Sequence, residues 1–380
     1  MKKINIIFLV NIASVFNSVK SVYLAAKNNK NINPIILCIN KDKEVYRFCL
    51  SIDKNAIWAY NDKKNEWIEP KKLKPDFIFL SQPYKWDYPE LYQLEKLKNI
   101  AKICYIPYGF LLTKELVEFT TTWELLQNTH YIFADQQETC DEIQRKSSLI
   151  KKSKIQSFNI GYARFDLYQD CDIYNGQVRK ILYLPRWVFH SDGMEQSNFL
   201  EYKDSILDYA ENHSDLEIII RPHPNMFRSI IELNIMTKQE VQQYYDRINK
   251  IPNCHLDTSI DYLSVLQNSD VLLSDFSSLL AEFFVMEKPI IYFGETDNFL
   301  NKHRKMLNSF YCVNDFNNAE NIISNLQQGI DSKLDIRKNA VEEFLSNYSK
   351  TSKSIGEEII DILISEKSKN FLTQLITKYF

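Results

Sequence analysis

Glycine is scarce in this chain, with seven in 380 residues against a usual share of about 7%. Gly161 is therefore read as a point where the backbone needs positive φ or a close approach. Cysteine supplies no framework. Cys38, Cys49, Cys104, Cys140, Cys171, Cys254 and Cys312 are scattered, odd in number, and form no Cys-x-x-Cys. That argues for reduced thiols in a cytosolic protein and against a zinc site. No apolar run reaches the length of a membrane-spanning helix. No Gly-x-Gly-x-x-Gly is present, which speaks against an NAD-type site. Neither sign of charge dominates: 46 basic against 49 acidic residues leave a net charge of −3, and nothing points to nucleic acid. Lysine runs such as 151–154 read as solvated surface, a small patch facing anionic lipid being the alternative.

What is present is ordinary for a soluble globular chain, with 45% hydrophobic and 25% charged residues. The length suggests two domains. The start, Met1-Lys2-Lys3 and then an apolar run to Val10, reads as a first buried strand rather than a signal peptide. Apolar runs at 4–10, 34–38, 77–80, 103–106 and 131–133 alternate with helical stretches at 14–26 and 90–100. Runs at 181–184, 217–220, 271–273 and 289–293 alternate likewise. This predicts an α/β protein with parallel sheets and crossover helices. The polar stretch 170–177 separates a first lobe (1–172) from a second (173–350), with a helical tail (351–380). In the tail, 355–365 reads as core helix. Phe371, Leu372, Leu375, Ile376, Tyr379 and Phe380 form an apolar stripe flanked by Lys367, Lys369 and Lys378. The stripe either packs back on the protein or lies in a membrane interface.

The most informative run is Ser274-Asp275-Phe276-Ser277-Ser278, followed by Glu282 and by Lys288-Pro289-Ile290-Ile291-Tyr292. It reads as a strand-to-helix junction in which Ser277 or Ser278 caps the helix. Free N–H groups there favour an anion, and the two hydroxyls add donors. The plainer reading is a capped helix and nothing more. Upstream, the strand Leu216-Glu217-Ile218-Ile219-Ile220 ends in Arg221-Pro222-His223-Pro224. The prolines stiffen the exit, Arg221 offers a fork suited to phosphate, and His223 can donate a proton or a hydrogen bond. The alternative is a structural turn with a satisfied histidine. Two further pieces are Ile181-Leu182-Tyr183-Leu184-Pro185-Arg186-Trp187 and Ile160-Gly161-Tyr162-Ala163-Arg164-Phe165-Asp166.

Taken in order, these blocks resemble the CDP-glycerol glycerophosphotransferase family, whose members build teichoic-acid-type polymers. The resemblance covers residues 160–293 well and the first 130 weakly. It implies two Rossmann-like lobes facing a cleft, the GT-B arrangement, with a CDP-activated donor as substrate and neither cofactor nor metal. It also implies a polymer or lipid-linked acceptor, and with it a place on the inner face of the cell membrane. Donor phosphates would be held by Arg221, Ser274, Asp275, Ser277, Ser278, Glu282 and Arg186. Asp275 orients the loop or meets a ligand hydroxyl, and Glu282 reaches a polyol or ribose hydroxyl or is simply a first-turn acid. Gly109, Lys114, Gly161, Arg164 and Asp166 fall in the acceptor or loop positions.

Two departures matter. The family's first-lobe Trp-His-Gly, whose His is the general base, corresponds here to Pro107-Tyr108-Gly109, with Lys114 following. A phenol titrating near 10 is a poor base at neutral pH. Tyr108 is therefore assigned to positioning the acceptor, with the base sought at His130 or, better, Asp135, which follows the strand 131–134 at its ligand-binding end. Asp135 as a mere helix cap is the alternative. The family's Pro-Thr-Trp-Arg is also altered, to Pro185-Arg186-Trp187-Val188. Together these predict a transferase that moves a phospho-polyol from a CDP-activated donor to an acceptor hydroxyl. The alternatives are a GT-B glycosyltransferase using a nucleotide sugar, and a relative that binds nucleotide or polymer without turnover.

Overall fold

The computed structural model describes every residue except 1–2, 151–154, 170, 172–173, 175, 190–195, 295, 347–352 and 380, and at 87 and 370–379 the backbone alone. The chain divides into two units, Met1–Gln169 with Ser346–Phe380, and Asp170–Leu345. The first holds a seven-stranded sheet of β1 (Ile4–Val10), β2 (Ile32–Cys38), β3 (Ile57–Trp58), β4 (Phe77–Phe79), β5 (Lys102–Tyr105), β6 (Tyr131–Ala134) and β7 (Gln156–Asn159). Its order is β3-β2-β1-β4-β5-β6-β7, and every pairing is parallel. Alternate side chains of β1 go to opposite faces, as strand geometry requires. Ile6, Phe8 and Val10 join one core and Ile7 and Leu9 the other. Helices cover both faces, which is why the strand reads as a continuous apolar run.

The second unit holds β8 (Lys180–Leu184), β9 (Glu217–Ile220), β10 (Cys254–Leu256), β11 (Val271–Ser274), β12 (Ile290–Tyr292) and β13 (Tyr311–Cys312). The order is β10-β9-β8-β11-β12-β13, again all parallel. The expected α/β class with parallel sheets in both halves is thus what the chain adopts. In each sheet the strand order reverses beside the first strand, between β1 and β4 and between β8 and β11. Such switch points open a crevice at the carboxyl ends of the strands.

Three details differ from the sequence expectation. The stretch 90–100 is not one helix but a 3₁₀ turn, Glu90–Tyr92, and a short helix, Leu94–Leu97, with Gln93 extended between them. The Tyr92 ring is buried against the first unit's core and its hydroxyl donates to the Ile68 carbonyl. The edge strands β3, β7, β10 and β13 carry no long apolar run. β7, Gln156-Ser157-Phe158-Asn159, is largely polar, because an edge strand has less to bury.

The third difference concerns the tail. The C-terminal helix, Ile355–Tyr379, belongs to the first unit and is not a separate tail. Ile355, Ile359, Ile360 and Leu363 lie in the same core as Phe16, Val19 and Val22 of the first helical region. This fits the reading of 355–365 as core helix. The side chains of the predicted stripe, Phe371 to Phe380, lie outside the described residues. Among the described residues no helix is long and apolar enough to cross a membrane. Ser354 and Glu357 cap the helix reciprocally, hydroxyl to N–H at 3.2 Å and carboxylate to N–H at 3.0 Å.

Asp166 completes that docking. Its carboxylate accepts from the N–H groups of Ile355 (3.1 Å) and Gly356 (2.9 Å) and from the Ser21 hydroxyl. Burial pushes its pKa up, although those donors oppose the shift. A Cβ on Gly356 would come within 2.7 Å of the Ser21 backbone carbonyl, so glycine is needed for the approach of the two helices. Gly356→Ala is expected to destabilise the protein by about 1–3 kcal/mol through overpacking. Urea unfolding measures this, and an unchanged midpoint would mean that the contact is not tight.

Candidate active site

The second unit's switch point collects most of the predicted donor-site residues. Leu184 pairs with Ser274 and Tyr183 with Ile220, so the exits of β8, β9 and β11 leave the sheet side by side. Arg186, Trp187, His223, Asp275, Ser277 and Ser278 all follow those three exits.

Asp275 is the tie between them. It is 1% exposed. One carboxylate oxygen accepts the Arg186 N–H at 2.8 Å, and the other accepts the Asn198 N–H at 3.0 Å and the Ser197 hydroxyl at 3.2 Å. Burial raises its pKa to about 7, against the opposing pull of those donors and of the Arg186 charge. Asp275 therefore holds loops and does not face a ligand hydroxyl. Ser274 is buried and committed too, its hydroxyl donating to the Leu184 carbonyl (3.0 Å) and the Asp275 carbonyl (2.7 Å). The N-cap residue is Ser278, whose side chain makes no cap bond; Ser277, one residue earlier, accepts from the Leu279 N–H at 3.2 Å. Ser277 and Ser278 keep partly exposed surface. The helix itself is only six residues, Leu279–Phe284, so its dipole adds less than the sequence suggested.

The two arginines prove to have different surroundings. Arg221 was expected to be part of the phosphate clamp. Instead its guanidinium pairs with Asp257 and donates to the Ser259 hydroxyl (3.0 Å) and carbonyl (2.9 Å). Burial would raise the Asp257 carboxyl, but hydrogen bonds from Ser259 and Arg221 outweigh it and hold it below its ordinary value. Arg186 lies with its guanidinium 4.6 Å from the centre of the Phe276 ring and donates to the Phe276 carbonyl at 3.4 Å. It is thus the arginine beside the serine pair. Glu282 is also displaced from its expected role. It is fully buried and accepts from the hydroxyl of Tyr262 at 3.1 Å, and it is the Tyr262 ring that lies 5.8 Å from the Arg221 guanidinium. Lys288 is structural, its ammonium buried against the Ser269 carbonyl at 2.9 Å.

His223 stacks on the Trp187 indole, with ring centres 5.5 Å apart and planes 27° from parallel. Its Nδ1 accepts the Asn225 N–H at 3.2 Å. Desolvation of the ring and then the nearby Arg186 charge push its pKa below the usual histidine value, although the residue keeps exposed surface. The imidazole is therefore neutral near pH 7, with its proton on Nε2. It is a hydrogen-bond donor in waiting and not an imidazolium acid. The Trp187 stack, Ser197 and Asn198 were not singled out from sequence. Only the indole, next to Arg186 at a strand end, carried a signal.

In the first unit the expected acceptor residues scatter. Tyr108 follows β5, and its hydroxyl lies 3.2 Å from that of Tyr84. Gly109 is buried beside it. Asp135 was the preferred base, yet it is fully buried: it accepts from the Leu111 N–H at 2.9 Å and the Thr139 hydroxyl at 2.6 Å. It fastens the loop after Tyr108 and presents no base to solvent. His130 precedes β6, at the opposite edge, with Nδ1 accepting from the Ile103 N–H at 3.1 Å. Lys114 is exposed at a helix start and 3.7 Å from Glu118. Gly161 has φ of +96°, the positive value expected of it. Arg164 is buried, its guanidinium 5.8 Å from the Tyr162 ring centre. Asp166, in the same block, holds the C-terminal helix.

The pKa of Asp275 generates a pH prediction. Its folded value lies above the unfolded value, so the folded state binds the proton more tightly. Its contribution to stability falls as pH rises from about 4 to about 7 and levels off above. Asp275→Asn removes this dependence and faces loop N–H groups with an amide. The variant is expected to melt lower at acid pH, with the gap to wild type narrowing toward pH 7 in a Tm series. A gap independent of pH would contradict the raised value.

Comparison with known proteins accords with this geometry. Residues 116–351 match the family described as CDP-Glycerol:Poly(glycerophosphate) glycerophosphotransferase. Among solved structures, the wall teichoic acid polymerase TagF superposes with a TM-score of 0.60 at 15% identity, over 97% of this chain and 90% of that one. A TagF variant described as soaked with CDPG gives 0.56 at 15% identity, over 97% and 89%. UDP-GlcNAc 2-epimerase from Methanocaldococcus jannaschii, in complex with UDP-GlcNAc and UDP, gives 0.54 at 15% identity, over 96% and 99%. No curated protein matches the chain in sequence. At these identities the structural likeness establishes the fold, two parallel α/β units of the GT-B type. The matched span exceeds half of the 380 residues, and the chain belongs to the CDP-glycerol:poly(glycerophosphate) glycerophosphotransferase family.

Proposed function

We propose that this enzyme binds CDP-glycerol at the second unit's switch point and transfers glycerol phosphate to a hydroxyl of a teichoic-acid-type polymer or its lipid-linked precursor. The observation that carries the reading is the convergence of Arg186, His223, Ser277 and Ser278 on adjoining strand exits, inside the span matched by the family. The acceptor hydroxyl oxygen attacks the phosphorus bearing the glycerol and releases its proton to solvent. The bond from that phosphorus to the bridging oxygen breaks, and CMP leaves with the electron pair. Charge grows on the CMP phosphate, and fixed donors aimed at it lower the barrier. Arg186 supplies a permanent cation, the neutral His223 an Nε2–H donor, and Ser277 and Ser278 hydroxyls. Arg221, bound to Asp257, shapes the β9 exit. Tyr108 positions the acceptor. Peripheral attachment to the inner face of the membrane follows from a lipid-linked acceptor and is part of the proposal.

Incubation with CDP-glycerol, CDP-ribitol and nucleotide sugars, scoring CMP against nucleoside diphosphate release, tests the donor. Nucleoside diphosphate released from a sugar donor would replace this reading with a glycosyltransferase. Nucleotide affinity without product from any donor would replace it with a binding protein.

His223→Ala is expected to lower kcat by about 10²–10³-fold, the cost of one well-placed donor. With the imidazole pKa depressed, the wild-type profile should show no acid limb near 6.5. An inflection there that vanishes in the alanine variant would mean that His223 works as an imidazolium.

Ser277→Ala with Ser278→Ala should weaken CMP binding by about 1.5–3 kcal/mol for each charge-assisted bond lost. Loss of the Ser277 bond to the Leu279 N–H costs about 0.5–1.5 kcal/mol of stability besides. Calorimetry on the folded variant separates the two effects, and unchanged affinity would remove the pair from the site.

A further inference from the structure

The first unit carries an aromatic platform that the donor chemistry does not use. β4 and β5 are adjacent and parallel, so the loops leaving them at 80–86 and 106–113 share the ligand-binding edge of the sheet, next to its switch point. From the first loop Tyr84 and Trp86 stack with ring centres 4.9 Å apart and planes only 5° from parallel. Tyr84 is buried, whereas Trp86 is 76% exposed. One indole face therefore rests on Tyr84 and the other is open. Phe119, 60% exposed, packs on Tyr84 at 5.5 Å, and Tyr108 meets the same ring edge-on at 6.2 Å.

The surroundings select the occupant. Glu115 and Glu118 lie on the helix that carries Phe119. Glu95 and Glu124 both act on Lys85, the residue between the two stacked rings. The Glu124 carboxyl is raised by burial and then by the Glu95 charge, and its Oε1 is buried with no hydrogen-bond partner among the described residues. Three of the nearby lysines are paired, and Lys98 acts on Glu95. Lys85 pairs with Glu95 at 2.8 Å, Lys114 lies 3.7 Å from Glu118, and Lys146 pairs with Glu142 at 3.2 Å. A phosphate chain or an anionic lipid surface would meet carboxylates here. Gln82, in the same loop, is 8% exposed and has a buried Oε1 with no hydrogen-bond partner among the described residues. That oxygen and the carboxylates are acceptors, suited to a ligand rich in hydroxyl donors. The aromatic faces are negative and attract polarised C–H groups.

We propose that Trp86, Tyr84 and Phe119 form a subsite for a neutral sugar ring of the acceptor, its C–H face on the indole and its hydroxyls toward Gln82 and the acidic rim. The subsite rests on the acceptor being a surface polymer precursor, and it makes the sugar portion, not the phosphate chain, what the first unit reads.

Saturation-transfer NMR and tryptophan fluorescence with methyl β-glucopyranoside and diacetylchitobiose test it directly, with glycerol 3-phosphate as the charged control. Wild type should bind the sugars and not glycerol 3-phosphate. Trp86→Ala, at an exposed position that should not disturb folding, should weaken sugar binding by roughly three- to tenfold, the size of one aromatic contact. In turnover with a sugar-terminated acceptor, the same variant should raise KM for the acceptor and not for CDP-glycerol. The platform reading is overturned by wild type that binds no sugar, by sugar binding equal in Trp86→Ala, or by sedimentation with anionic vesicles that depends on Trp86. If wild type releases no CMP with any acceptor, the transferase reading fails, and the binding experiment still decides the platform.

Discussion

The second unit's site depends on one buried carboxylate. Asp275 has no solvent to stabilise its charge, and it joins segments that would otherwise leave the sheet independently: the β11 exit it sits on, the β8 exit through Arg186, and residues 197–198. Each of those N–H groups lies at a strand end or loop, where the ladder no longer supplies a partner. An unmet buried donor costs about as much as a lost hydrogen bond. The carboxylate answers that need at the price of its own desolvation, which is why its pKa stands so far above that of an exposed aspartate. Arg186 reaches its place over Phe276 because the loop behind it is held by its backbone.

The same physics runs through both units. Asp135 ties the loop after Tyr108 to the following helix. Asp166 ties the C-terminal helix to the first, Asp257 holds Arg221, and Glu282 holds Tyr262. These acids stand at the carboxyl ends of strands or in the first turn of a helix, where ligand-binding acids also stand. Position alone does not separate the two uses. Burial does: an acid with its oxygens engaged by neighbouring donors has nothing left to offer a substrate. At the second switch point the Arg186 guanidinium, the serine hydroxyls and the His223 ring stand together at the strand exits.

Much of the fold was legible in the chain. The runs 4–10, 181–184 and 217–220 are long and apolar because they are buried on both faces, and their ends coincide with the observed strands to within a residue. The edge strands were not legible, since β3 and β13 have two residues each and little to bury. The membership of the C-terminal helix in the first unit was not read either. The stretch 355–365 was legible as core helix, but a sequence cannot say which core such a helix will join.

The site divides in the same way. Strand ends, prolines, paired serines and a positive φ at Gly161 are local properties, set by sterics and hydrogen-bond chemistry within a few residues, and the chain alone determined them. Which arginine faces the serine pair, whether Asp135 is base or fastener, and which face of His223 is covered depend on partners between two and ninety residues away. Arg186 and Arg221 have equal guanidinium forks. Only the packing of the sheet put the Asp257 carboxylate against Arg221 and the Phe276 ring against Arg186, because a charged side chain pairs with whatever the fold brings within reach.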